Sequence, residues 1–432
     1  PDYSDLVNPR PATIARTRQL LKADEVLVSW YFGDNEGFVW AITKTGEPQF
    51  HAFPLGREKM AAIVGQLRKS LDAGVATIDD IPAYDVALSH QLYQSILAPV
   101  RGALQGKKVM LAVPHAELGQ LPLALLTTQP DLQKYKAKGG DFTEYRKTPW
   151  LIRDIAIAQL PSVTALAALR NLPVPPKDRR TFVGFGDPFF SVEQAKIAAN
   201  TAARAANTMA TRGIPLKLRS APKTSGVSSA ELALLPRLPD TKEELLEIGK
   251  ALAADPAQDI FLHQQANVAR VMEMDLSNRQ VVMFATHGLV PGELDGLAQP
   301  ALALSAPDVT GETKGDGLLT MEKILTLKLN ADWVVLSACN TAGADGKAEE
   351  ALSGLARGFF YAGGRSLLVT HWAVETVSAM NLTTKTLAAY QENPNIRRAQ
   401  ALRLAMLDTM NMAQFKHPAY WAPYALVGEG GR

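Results

Sequence analysis

One cysteine, Cys339, occurs in 432 residues. A lone thiol excludes an internal disulfide and any cysteine-based metal site. Charge of one sign is also missing: 45 Lys and Arg stand against 43 Asp and Glu, a net charge of +2, and the basic residues are dispersed. Nothing in that balance calls for nucleic acid or an anionic membrane as a partner. No stretch approaches the length of apolar residues needed to span a bilayer, and the first residues lack the charged-then-apolar pattern of a leader. The expectation is a soluble, non-exported, cytoplasmic chain. There is no G-x-x-x-x-G-K-[ST] phosphate loop and no G-x-S-x-G elbow, which removes P-loop nucleotidases and serine hydrolases of that type. No His-x-x-x-His or His-Asp cluster supports a metal at His287 or His371, so no metal and no cofactor are expected. The sequence starts at Pro1 rather than Met, which suggests a piece of a longer protein or a processed one.

The cysteine lies in Ala331–Gly343, ADWVVLSACNTAG. Trp333-Val334-Val335-Leu336 has the composition of a strand buried on both faces of a parallel sheet. Cys339 follows its carboxyl end, among the loop formers Asn340, Thr341 and Gly343. Upstream, Gln280–Ala285 is another buried strand, followed by Thr286, His287 and Gly288. His287 precedes Cys339 by 52 positions. Ligands of open α/β sheets bind beyond the carboxyl ends of the strands, so neighbouring strands would bring the two to one rim. A thiolate is a nucleophile and an imidazole exchanges protons near neutral pH. The backbone N–H groups of Gly288 and Cys339 are the expected oxyanion hole.

Along the chain, Glu25–Pro54 carries three runs rich in Val, Trp, Tyr and Phe between turn signals, an antiparallel meander. Helical spacing appears over 57–73 and 84–105, strands over 107–114 and 154–160, and His115 reads as a surface or turn histidine. Stacked prolines in Pro173–Arg180 mark a boundary. This divides the chain into a 1–175 α+β region, substrate-binding or regulatory, and a 176–432 catalytic domain. In the second part, Thr181–Gly186 is a strand, its glycines wrongly spaced for a dinucleotide loop. Asp240 or Thr241 followed by Glu243 and Glu244 is a helix-capping signature. Residues 301–305 and 317–320 suit a hairpin around a charged, Gly-rich excursion at 308–316. Strand–helix alternation over 181–427 argues for a mostly parallel sheet covered on both faces. Asp187 and Glu375 follow strand ends at the same rim, and two carboxylates there would favour an Arg or Lys side chain before the scissile bond.

FATHG (284–288), DGLLTMEKI (316–324), VVLSACNTAG (334–343), EEALSGLARGFFYAGGRSLLVTHWAV (349–374) and HPAYWAPYALVG (417–428) resemble the CHAT family of caspase-like and separase-like, clan CD cysteine peptidases. The likeness runs from about residue 85 to the end. His before Cys at this spacing is also the caspase order. The resemblance implies a caspase-like fold, His287 as general base and Cys339 as nucleophile. It implies a protein or peptide substrate, and an upstream helical-repeat (TPR-like) region or an activating protein as partner. Many members carry Asp near the position of Glu375, so the longer side chain weakens the basic-pocket reading and leaves a hydrophobic pocket open. A partner-activated or inactive scaffold is the alternative to an endopeptidase.

Overall fold

The computed structural model describes residues 12–72, 81–130, 142–205, 229–291, 294, 297–312, 315–337 and 348–430. The meander forms as expected: β1 (Glu25–Phe32), β2 (Gly37–Thr43) and β3 (Gln49–Phe53) pair antiparallel. β4 (Val109–Val113) and β5 (Ala156–Gln159) extend this group in parallel from β1. The second half adds β6 (Arg180–Gly186), β7 (Ile260–Leu262) and β8 (Arg279–Ala285). Short strands β9 (Gly288–Leu289), β10 (Ala301–Ala303) and β11 (Leu318–Thr320) make a separate three-stranded antiparallel sheet, which contains the expected hairpin. β12 (Trp333–Leu336), β13 (Ser366–Thr370) and β14 (Tyr424–Gly428) complete the set.

Eleven of these strands form one sheet in the order β3-β2-β1-β4-β5-β14-β13-β12-β8-β6-β7. Its central strands are buried along their whole length, which is why they read as continuous apolar runs rather than alternating ones. One apolar core continues from Leu21 to Val427, across the proline segment at 173–180. The two halves meet where β14 lies between β5, which it parallels, and β13, to which it is antiparallel. His115 follows β4. Its Nδ1 accepts a hydrogen bond from the Phe32 amide at 3.0 Å, and its ring lies against Tyr31 and Phe32.

Two glycines of β6 set the depth of the neighbouring helix, Asp240–Ala251. A Cβ on Gly184 or Gly186 would lie 2.5 or 2.7 Å from the Leu245 side chain. Their absence lets the helix lie directly on the strand. The helix start differs from the sequence expectation. Pro239 is the N-cap and makes no side-chain capping bond. The polar residues that look like a capping box are turned across the molecule instead. Asp240 accepts from Thr376 Oγ1 at 2.9 Å; Thr241 accepts from the Asp187 amide at 2.7 Å; Glu244 accepts from Ser337 and Thr383, each at 3.0 Å.

Candidate active site

β8 lies between β6 and β12, all parallel. The register of β8 with β12 sets Trp333 opposite Val281 and Leu336 opposite Phe284. That offset is 52 positions, the separation of Cys339 from His287. Cys339 itself lies outside the described residues, as do Asn340, Thr341 and Gly343. Ser337, the last described residue before it, is tied down: its amide donates to Phe284 O at 3.0 Å, and its hydroxyl reaches buried Glu244 and, at 3.1 Å, Tyr424 OH.

His287 is fully buried at the end of β8. Its Nε2 lies 2.7 Å from Pro236 O. A carbonyl only accepts, so Nε2 carries the proton, and in the neutral ring Nδ1 holds the lone pair. The ring packs against Phe190, with centroids 5.5 Å apart, and its backbone carbonyl accepts from the Ala303 amide. Gly288 begins β9 and pairs with Leu302, so the small sheet holds the turn after His287. Phe190, Leu235, Leu289, Ala301 and Ala303 form a small apolar cluster beneath it. Pro236 is the orienting group that the sequence does not reveal. A backbone carbonyl has no residue identity, and only the seating of the 240–251 helix brings it there.

Asp187, expected in the substrate pocket, is completely buried and has a left-handed backbone, φ 46°. Arg237 grips it with two hydrogen bonds, Nε to Oδ1 at 2.8 Å and Nη2 to Oδ2 at 2.6 Å. His263 Nε2 is 3.0 Å from Oδ2, and the Arg237 guanidinium sits 4.9 Å over the Phe189 ring. Arg237 follows Pro236 directly, so the ion pair also fixes the carbonyl on which His287 rests. Glu375 caps the Thr376–Glu392 helix: its two oxygens accept from the Val377 and Ser378 amides at 3.0 and 2.7 Å. Both carboxylates expected to receive a substrate cation thus have internal partners, and the physical reasons are a neighbouring arginine in one case and four orphan amides at a helix start in the other.

His371, at the end of β13, is buried, and among the described residues neither ring nitrogen has a hydrogen-bond partner. Burial, helped by the Arg68 charge, pushes its pKa down to about 3. Arg68, from the Arg57–Arg68 helix of the first half, donates to His371 O at 2.9 Å and to Gln120 O at 2.6 Å. The first half is thereby anchored to the rim beside the candidate site. Among the described residues no group of three His, Cys, Asp or Glu could hold a metal, and no helix is long and apolar enough to cross a membrane.

A mostly parallel sheet covered by helices, with a histidine at the carboxyl end of one inner strand and the chain leading to a cysteine from the next, defines a caspase-like α/β fold. The CHAT domain family matches residues 86–429, and the chain belongs to that family. No curated protein matches it. Among solved structures, the Saccharomyces cerevisiae separase–securin complex is similar with a TM-score of 0.50 at 8% identity, covering 96% of this chain and 30% of that one. The chain therefore spans less than a third of that separase chain. The Arg-specific cysteine proteinase gingipain R (RgpB) gives a TM-score of 0.43 at 8% identity, covering 87% of this chain and 74% of that one.

Proposed function

We propose that the protein is a cysteine endopeptidase using a His287–Cys339 dyad. The observation that supports this is the register: β8 and β12 are adjacent and parallel with a 52-residue offset, and His287 and Cys339 each follow a paired residue by three positions. In this reading Nδ1 of His287 takes the thiol proton. The Cys339 thiolate then attacks the peptide carbonyl, while the N–H groups of Gly288 and Cys339 hold the oxyanion. The imidazolium returns the proton to the leaving amine, and water, deprotonated by the same nitrogen, releases the acyl group. Pro236 O keeps the ring in the required tautomer throughout.

A preference for Arg or Lys before the scissile bond rests on Asp187. Its grip on Arg237 demonstrates the guanidinium chemistry, but a substrate side chain would have to take the place of Arg237. The internal partners of Asp187 and Glu375 favour a second reading, a pocket for a hydrophobic residue. The separase in the solved structure is bound to securin; a protein partner that governs access, or an upstream helical-repeat region, is the corresponding proposal here. A cytoplasmic location belongs to the same reading.

The test is digestion of an unbiased peptide mixture, read by mass spectrometry, with wild type beside Cys339→Ala. Cuts made only by wild type are expected, and the residue before the cut decides between the two pockets. Equal cutting by the variant would remove the dyad. If wild type makes no cuts, the pH dependence of alkylation of the single cysteine separates a dormant dyad, with a thiolate formed below the ordinary thiol range, from an inert scaffold.

A further inference from the structure

At the other end of the same strands the molecule holds a cavity of about 710 Å³. It opens where the residues just before β6, β12 and β13, Arg179, Asp332 and Arg365, meet the proline segment and the residue after β14, Glu429. Its volume falls within the range of small-molecule sites. Its charge sets it apart from the rest of a nearly neutral chain. Six cations, Lys22, Arg170, Lys177, Arg179, Arg365 and Arg398, face two carboxylates, Asp332 and Glu429.

The ion pairs at the wall do not balance. Asp332 is shared by three guanidinium groups, Arg179 at 2.8 Å, Arg398 at 3.1 Å and Arg365 at 3.7 Å. Glu429 is shared by Arg398 at 3.1 Å and Arg170 at 3.2 Å. Arg179, Arg365 and Arg398 are all buried, and buried charge is stable only when compensated. Behind the wall, Asp24 and Glu25 are shared with a further arginine, Arg397, so among these described residues seven cations face four carboxylates. The crowding is felt at single groups. Burial, together with the Arg398 and Arg179 charges, lowers the pKa of Arg365, and burial lowers that of Lys22. The remaining wall is apolar: Leu172, Val174, Pro175, Pro394 and the ring of Tyr390.

We infer that this cavity is a binding site for a small phosphate-chain anion, carried by a nucleotide or present as inorganic polyphosphate. Three excess positive charges match a short chain of phosphates. Most guanidinium N–H groups of the wall are held by Asp332, Glu429 and the carbonyls of Pro173, Pro176 and Asn330, so the arginines supply the positive field, while Lys22 and Lys177 at the wall supply adaptable point charges. The proline–tyrosine wall has the flat, apolar character that a base would use. The site is separate from His287, which lies at the carboxyl end of β8, whereas Gln280 of this wall lies at its amino end.

Calorimetric titration of the whole chain with tripolyphosphate, with ATP and with adenosine tests this. Tripolyphosphate and ATP are expected to bind, more weakly as salt is raised, and adenosine is not. Tighter binding of ATP identifies a nucleotide as the source, and equal binding identifies the phosphate chain alone. The charge reversals Lys177→Glu and Lys22→Glu together should weaken binding roughly tenfold or more with an unchanged circular dichroism spectrum; Lys177→Glu alone, at an exposed position, gives the same direction if the pair disturbs folding. Absence of binding by wild type at millimolar anion, binding insensitive to salt, or equal binding by wild type and variants would overturn the site.

Discussion

The two ends of β6, β8, β12 and β13 solve opposite electrostatic problems. At the carboxyl end each carboxylate is matched internally: Asp187 by Arg237 and His263, Glu375 by two helix amides. At the amino end one carboxylate, Asp332, serves three guanidinium groups. A matched set holds geometry, and geometry is what a histidine and a thiol need to share a proton. A set in which cations outnumber the described carboxylates favours an anionic ligand. One sheet thus presents a rim built for position and a rim built for attraction.

Removing the shared carboxylate should break the comparison most severely. Asp332→Ala leaves Arg179 and Arg398 buried without it, and a loss of about 3–5 kcal/mol in urea unfolding is expected; a loss below about 1 kcal/mol would mean the amino end is already neutralised by solvent. Acid should next distinguish the carboxyl end. His371 and His417 are buried with pKa values of about 3, against an ordinary 6.5. Their folded pKa values are depressed, so the unfolded chain binds more protons below 6.5. The stability they permit is complete above that pH and is lost as pH falls toward 3, by about 3 kcal/mol each at pH 4. Denaturant midpoints across that range check the slope, which His371→Gln should flatten by about half.

A smaller effect is expected at the ion pair beside the catalytic candidate. Arg237→Met leaves Asp187 with His263 alone and should cost about 2 kcal/mol, less than a fully buried pair because Arg237 is partly exposed. Loosening of the Pro236 carbonyl should also shift the pH profile of Cys339 alkylation, and Arg237→Lys should restore part of it. The smallest change is Glu375→Gln, about 1 kcal/mol through a weaker cap. The residue preferred before the scissile bond should not alter; a changed preference would return Glu375 to the pocket.

The strands were legible because burial on both faces writes itself as unbroken apolar runs, and the strand-end position of His287 was legible because it follows such a run. The meander was legible from its turn signals. What the sequence hid was set by long-range partners. Nothing in Tyr424–Gly428 announces that it lies between β5 and β13 or runs against β13. Asp240, Thr241 and Glu244 imitate a capping box, yet each bonds to a distant element. Asp187 reads as a free rim carboxylate because its partner, Arg237, lies 50 residues away in the chain.

The position of β14 bears on how the protein is made. It is the last strand of the sheet to leave the ribosome, yet it lies between the two groups of strands synthesised before it. Until residues 424–428 emerge, β5 and β13 are open edges, each able to pair with a wrong neighbour. The late strand closes both together. A message truncated shortly before it would therefore yield two unjoined half-sheets rather than a slightly shortened protein, and a quality-control protease would meet the exposed edges of both.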